Sequence, residues 1–402
     1  MLDITQFIKD HITHRQDSLL KADLERYGEE LSQRITGKSV LVVGGAGTIG
    51  SFFIKAILKY RPGRLFVVDI NENGLTELVR DLRSTEGAYI PDTFLTYPVN
   101  FSDKVFEKIL RNEGPFHIVA NFAAHKHVRS EKDQYSIEAM VENNVLKAKG
   151  LLDLLSTAPP ERFFCVSTDK AANPVNVMGA SKKLMEEVIM AYSRQMHITT
   201  ARFANVAFSQ GSLPAGFLER LNKRQPFSSP SDVKRYFVSP QEAGELCLLA
   251  CMLGKSGDIF FPKLKEEEMV TFSSIAVKLL ATLGYLPDYC GSEAEARQKA
   301  AKWKVGDPAY PVYFFASDTD GEKAYEEFYT DDELIDWHSF EALGVIKSTQ
   351  ARTIGEVEDM FQRLHQLFKS ESPDKAQIVR LLAGFIPGFE HIETGKGLDQ
   401  KM

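Results

Sequence analysis

The chain has 402 residues, 44% hydrophobic and 26% charged, a balance that excludes a disordered chain and suffices for one large domain or two smaller ones. Its formal net charge of -7 lacks the basic excess with which nucleic-acid binders displace counterions, so no nucleic-acid partner is expected. The cysteines, Cys165, Cys247, Cys251 and Cys290, have no metal-ligand spacing; they read as reduced thiols, and no metal is expected.

Residues 1–36 form a charged extension with apolar residues at helical spacing (Ile8, Ile12, Leu19, Leu20, Leu24, Leu31), one or two amphipathic helices that pack on the body or on a second subunit. Met1 to Arg34 contains neither the apolar core of a signal peptide nor a run that spans a bilayer. The expectation is a cytoplasmic protein without a membrane span.

Ser39 to Val43 reads as a strand that enters Gly44-Gly45-Ala46-Gly47-Thr48-Ile49-Gly50 and then a helix through Phe53, Ile57 and Leu58. Strand, glycine turn and helix in this order are a dinucleotide-binding signature: tight turn at Gly44, close backbone approach at Gly47, helix packing at Gly50. A second strand, Arg64 to Val68, ends in Asp69, a carboxylate suited to the adenosine ribose hydroxyls and repulsive to a 2'-phosphate. NAD is therefore expected, with Arg61 and Arg64 the residues that would favour NADP. Asp69 is also placed to cap the helix that follows.

Phe94 to Val99 is a third strand, leading to Asn100-Phe101-Ser102-Asp103. A fourth, His117 to Asn121, continues into Phe122-Ala123-Ala124-His125-Lys126-His127-Val128, where the small Ala123 and Ala124 leave room for a cofactor ribose. Two histidines one residue apart, with no further ligand at metal spacing, do not make a metal site. A helix from about Ser136 to Leu155 carries Asn143, read as a satisfied interior amide, and Asn144.

The fifth strand, Arg162 to Val166, delivers Ser167-Thr168-Asp169-Lys170 at its C-terminal edge, where open α/β sheets bind ligands. After Pro174 comes a helix on which Met178 and Lys182 lie one turn apart on one face. Ile198 to Phe203 is the sixth strand. Such alternation predicts an α/β protein: a Rossmann-type doubly wound parallel sheet at 37–205. Residues 206–402 are expected to form mainly a smaller, interwoven C-terminal lobe, with about 237–262 returning to the sheet.

Short-chain dehydrogenases carry a catalytic Tyr four residues before a catalytic Lys, and a Ser or Thr about ten residues earlier. Here Thr168 and Lys182 are present and Met178 stands at the Tyr position. Thr168-Asp169-Lys170 followed by Asn176-Val177-Met178-Gly179 and Lys182 resembles the nucleotide-sugar 4,6-dehydratases of bacterial polysaccharide biosynthesis, in particular those acting on UDP-N-acetylglucosamine. Further matches run from about Lys38 to Phe328.

The resemblance implies NAD-dependent removal of water across C5 and C6 of a UDP-N-acetylhexosamine, through a transient C4 ketone. Lys170 is then the C5 base, Asp169 the acid at the C6 oxygen, and Thr168 a hydrogen-bond partner of the C4 oxygen, with Lys182 serving catalysis and cofactor. A lobe of the residues after 205 binds the sugar nucleotide, and a homo-oligomer is implied. Asn100 with Phe101 meets the adenine, Lys126 lies over the cofactor and Asn144 braces the active-site strand. On the substrate side stand Met178, Asn205 as a phosphate donor, Arg235 on the diphosphate, and Glu326 in the Gly321 to Glu327 segment near the nucleoside. Met at position 178 is typical of members that retain C5 configuration. Two rivals remain: a nucleotide-sugar 4-epimerase, and a non-catalytic NAD-binding regulator.

Overall fold

The computed structural model describes residues 2–127, 131–317, 325, 327–347, 352–371 and 374–391. At the N-terminus, α1 (Ile4–Ile8) continues through a π-helical turn (Lys9–Thr13), and α2 (Lys21–Ile35) follows. Strands then alternate with helices: β1 (Ser39–Val43), α3 (Thr48–Leu58), β2 (Arg64–Val68), α4 (Glu72–Ser84), β3 (Thr93–Tyr97), α5 (Lys104–Glu113) and β4 (Ile118–Asn121). Next come α6 (Gln134–Val141), a π-helical turn (Glu142–Leu146), α7 (Lys147–Ser156), β5 (Arg162–Val166), α8 (Val177–Tyr192) and β6 (Ile198–Ala201). The apolar runs of β1, β4, β5 and β6 are buried throughout, as a parallel sheet covered on both faces requires.

The second half starts with β7 (Asn205–Val206), α9 (Leu213–Asn222), β8 (Phe227–Pro230), β9 (Lys234–Arg235), β10 (Phe237–Val238), α10 (Pro240–Leu253) and β11 (Ile259–Pro262). It continues with β12 (Val270–Thr271), α11 (Phe272–Thr282), β13 (Leu286–Tyr289), α12 (Glu293–Lys302) and β14 (Ala309–Phe315). β15 (Leu334–Asp336), β16 (Leu343–Lys347), α13 (Ile354–Phe368) and α14 (Lys375–Phe385) complete the described chain.

Nine strands form the main sheet in the order β15-β16-β11-β6-β5-β4-β1-β2-β3. The run from β11 to β3 is parallel and doubly wound, whereas β16 and β15 close one side antiparallel. This is the Rossmann-type α/β fold. Residues 334–347, assigned from sequence to the smaller lobe, lie in the main sheet, and α13 and α14 pack on α8. Short antiparallel strands after a long irregular stretch leave little periodic signal.

A second core gathers Phe217, Phe227, Ile275, Leu279 and Tyr310 around the parallel sheet β13-β14-β8, and the N-terminal Phe7, Ile8 and Ile12 belong to it. Leu31 and Ile35 of α2 belong instead to the main core. Between them Arg15 pairs with Glu242 at 2.9 Å and Glu268 at 2.8 Å and donates to the Phe237 carbonyl. Residues 2–35 therefore bridge both cores. No described helix is long and apolar enough to cross a membrane.

Candidate active site

The C-terminal ends of β1, β4 and β5 open onto one cavity of about 510 Å³, within the range of small-molecule sites. Its walls bring together Gly44, Gly47, Thr48, Ile49, Gly50, Ala124, Lys126, Thr168, Asp169, Lys170, Met178, Lys182 and Asn205, residues that span more than 160 positions of the chain.

The β1–α3 turn explains its glycines. Gly44 has φ +75°, and a Cβ there would fall 2.5 Å from the Ala123 nitrogen, so the turn must pass against the loop after β4 without a side chain. Gly47 differs: its nearest neighbour from an added Cβ would be Gly44 O at 3.5 Å, ordinary contact, so nothing within the protein demands glycine there. Gly47 is also the N-cap of α3 and offers no side-chain acceptor, which leaves the first N–H groups of the helix available to an anion. Asp69 Oδ2 accepts from Ala46 N at 2.9 Å and Oδ1 from Asn71 N at 2.9 Å, tying the end of β2 to the turn. The α4 N-cap is Asn71, through Gly74 N, and not Asp69 as its position suggested.

At the end of β5, three donors converge on one oxygen. Asp169 Oδ1 accepts from Thr168 Oγ1 at 2.8 Å, Lys170 N at 2.9 Å and Lys170 Nζ at 3.0 Å, with the Asp169 side chain only 4% exposed. Asn176 caps α8 through Gly179 N, which orients Met178 and Lys182 toward the same cavity. Lys182 Nζ donates to Val166 O at 3.1 Å and lies 3.9 Å from Met185 Sδ. Burial pushes the Lys182 amine below its usual range, while neighbouring Cys165 and Glu186 oppose that shift. The Asn205 amide nitrogen on the cavity wall is buried and finds no acceptor among the described residues.

Residues 40–348 match the family model of a polysaccharide biosynthesis protein. The chain belongs to this polysaccharide biosynthesis family. It is 30% identical to an uncharacterized membrane protein of Methanocaldococcus jannaschii over 79% of this chain and 88% of that one. A probable polysaccharide biosynthesis protein of Bacillus subtilis, EpsC, is 32% identical over 64% of this chain, which spans only 42% of EpsC. An inverting UDP-N-acetylglucosamine 4,6-dehydratase of Campylobacter jejuni matches at 25% over 59% of this chain and 70% of its own. A UDP-glucose 4-epimerase of Rickettsia typhi matches at 28% over 56% and 66%. Among solved structures, DesIV, the dTDP-glucose 4,6-dehydratase of Streptomyces venezuelae with NAD and DAU bound, superposes with a TM-score of 0.55 at 20% identity, covering 72% of this chain and 87% of DesIV. That likeness carries the fold.

Several residues expected in the site stand behind or beside the cavity wall. Asn144, in the π-helical turn, accepts from His125 N at 2.7 Å and donates to His125 O and Ser181 Oγ, so it braces the post-β4 loop and α8 rather than a strand. Asn143 is half-buried, not interior. Ala123 donates its N–H to Asn121 Oδ1, and Asn100 Oδ1 is committed to the Ser102 N–H and hydroxyl, beside the buried Phe101. Arg235 is buried, with Nη1 on Lys234 O, and does not line this cavity. Glu326 lies outside the described residues.

Two groups escaped the sequence reading. Gln210 links two other lining residues: its N–H donates to Thr48 Oγ1 at 3.0 Å and its carbonyl accepts from Lys126 Nζ at 2.6 Å. Behind the Thr168-Asp169-Lys170 loop, Arg202 bonds Glu186 through two nitrogens at 3.0 and 2.9 Å and Glu333 through two at 2.8 and 2.7 Å, while Ser167 Oγ donates to Glu186. Burial opposes ionisation of Glu186, but the Arg202 charge and hydrogen bonds outweigh it and hold the carboxyl below its usual range. The available signal was spacing, since Glu186 follows Lys182 by one helical turn.

Proposed function

We propose that this protein is an NAD-dependent UDP-N-acetylglucosamine 4,6-dehydratase that retains C5 configuration. The observation that carries the reading is the convergence of Thr168 and Lys170 on one oxygen of Asp169, in a cavity shared with Met178, Lys182 and the glycine turn. An epimerase needs no acid and base aimed at C5 and C6.

The uncapped start of α3 and the open face of Gly47 suit a pyrophosphate, and Asp69 suits adenosine ribose hydroxyls. Arg64 is engaged with Glu113 at 3.0 Å and Arg61 lies over the Tyr89 ring, at the end of β2 remote from Asp69, so neither favours a 2'-phosphate and NAD is preferred. Held by the glycine turn, Asp69 and Lys182, NAD would supply the acceptor for the C4 hydride and its later donor to C6.

The protein's own groups move the protons. A thioether cannot accept one, so Met178 cannot replace the Tyr of other short-chain dehydrogenases. The Thr168 to Asp169 hydrogen bond offers the substitute route, from the C4 hydroxyl through Thr168 to Asp169 Oδ1. Asp169 then holds the proton that the C6 oxygen needs to leave as water. Lys170 takes the C5 proton and returns it to the same face, which retains configuration. An ammonium has no acceptor site, so the 3.0 Å ion pair is the resting arrangement and opens in the complex, with Lys170 entering uncharged. Asn205, with its unpaired amide donor, is assigned to a substrate phosphate.

Incubation with UDP-N-acetylglucosamine, followed by NMR of the sugar ring, tests the reading. A 4-keto-6-deoxy product with unchanged C5 configuration is expected. A C4 epimer, or unaltered substrate, would overturn it.

A further inference from the structure

We infer that Glu131 is a positioning residue for the catalytic helix, and that the C-terminal arm, through Lys375 and His391, is part of the active-site assembly. The inference rests on the function proposed above. The C-terminal helices carry no legible chemistry in the sequence, yet α13 and α14 lie against α8, the helix of Met178 and Lys182. Lys149 of α7 reaches Glu358 of α13 at 2.6 Å, which fixes the arm to the same layer.

The decisive contact is one buried carboxylate. Glu131 belongs to the loop after β4, which carries His125 and Lys126 into the cavity, and its side chain is 7% exposed. Oε2 accepts from Val177 N at 2.7 Å, the first N–H of α8, immediately before Met178. Oε1 receives His391 Nε2 and has Lys375 Nζ at 3.8 Å. One oxygen therefore holds the catalytic helix and the other holds the arm.

A carboxylate at a helix N-terminus satisfies an orphan donor and complements the helix dipole. Here it also sets where the first turn of α8 stands relative to the end of β5, the distance across which Lys182 Nζ meets Val166 O at 3.1 Å. Without Glu131, the Val177 N–H loses its acceptor and Lys375 and His391 lose their shared anchor. The reacting groups on α8 and β5 then lose a constraint on their spacing, and small displacements of positioned groups are costly to turnover.

The test uses full-length Glu131→Ala, Glu131→Gln and His391→Ala, assayed for kcat and KM with UDP-N-acetylglucosamine, NAD content and melting temperature. Glu131→Ala is expected to lower kcat about tenfold to a hundredfold, with KM and NAD content within about twofold of wild type. Glu131→Gln keeps an acceptor for Val177 N–H and should recover part of the loss. His391→Ala should lower kcat less, at an unchanged melting temperature. Wild-type kcat in both alanine variants, or losses that only follow the melting temperature, would overturn the inference. Should Glu131→Ala fail to fold, His391→Ala decides alone: wild-type kcat overturns, a lower kcat supports. A wild type that does not convert the sugar nucleotide counts against the proposed function instead. Amide hydrogen exchange in the first turn of α8 then decides this inference, faster in His391→Ala if it holds and unchanged if it does not.

Discussion

Asp169 Oδ1 carries three hydrogen bonds at once, and the order in which they break separates the two halves of the proposed reaction. Lys170→Met leaves the Thr168 to Asp169 contact intact. It should lower product formation about a hundredfold or more while hydride still leaves C4, seen as growth of the reduced-nicotinamide band on adding UDP-N-acetylglucosamine. Asp169→Asn removes the acceptor that serves both steps and should lose that band as well. Exchange of the C5 hydrogen with deuterated water reports on Lys170 directly, and undiminished exchange in Lys170→Met would exclude it as the base. At this scale the sequence was informative about residue types at a strand's end. It was silent on their convergence, because which oxygen of Asp169 receives which donor depends on rotamers set by the surrounding packing.

Two of the three glycines in the turn between β1 and α3, Gly44 and Gly47, do different work. At Gly44 an alanine would have to keep φ near +75° and place its Cβ 2.5 Å from a backbone nitrogen of the post-β4 loop. Gly44→Ala is expected to cost roughly 2 kcal/mol or more, from the left-handed backbone and the clash together. Gly47→Ala meets only an ordinary contact at 3.5 Å, in a conformation that any residue adopts. It should change stability by less than about 1 kcal/mol and weaken NAD binding about tenfold, ~1.4 kcal/mol. Denaturant unfolding and NAD titration of both variants check the contrast. Equal effects on stability would show that Gly47 serves the fold and not the cofactor. The spacing of the glycines was legible because a tight turn is a local demand, but only the neighbours of each Cβ tell a structural glycine from one that faces a ligand.

Across the whole molecule, the buried Arg202 network joins the end of β6, α8 and residues 328–333 behind the Thr168-Asp169-Lys170 loop. Glu186 is held below its usual value of 4.5, so its ionised form stabilises the fold above about that pH, and this contribution is lost as pH falls through the depressed folded value. Glu186→Gln should cost about 3 kcal/mol at neutral pH, because it leaves part of a buried guanidinium uncompensated. Its stability should also fall less steeply than the wild type's on acidification. Urea unfolding at neutral pH and below the carboxylate range measures both. Parallel pH profiles for the two proteins would assign the acid sensitivity to other carboxylates.

The order of the first six strands, the glycine turn, the Thr168-Asp169-Lys170 loop and the one-turn spacing of Met178 and Lys182 follow from the sequence alone. Apolar runs, turn residues and helical spacing are properties of neighbouring positions, and strand edges moved by only one or two residues where pairing stopped. Tertiary structure decided the rest: Arg15 on Glu242 across 227 positions, Arg202 on Glu333 across 131, and His391 on Glu131 across 260. It also decided the return of residues 334–347 to the main sheet. Such partners leave no periodic trace in the chain. A charged residue in a loop reads alike whether it is solvated or buried against an ion of opposite sign, and only the packing that removes water from both distinguishes the two.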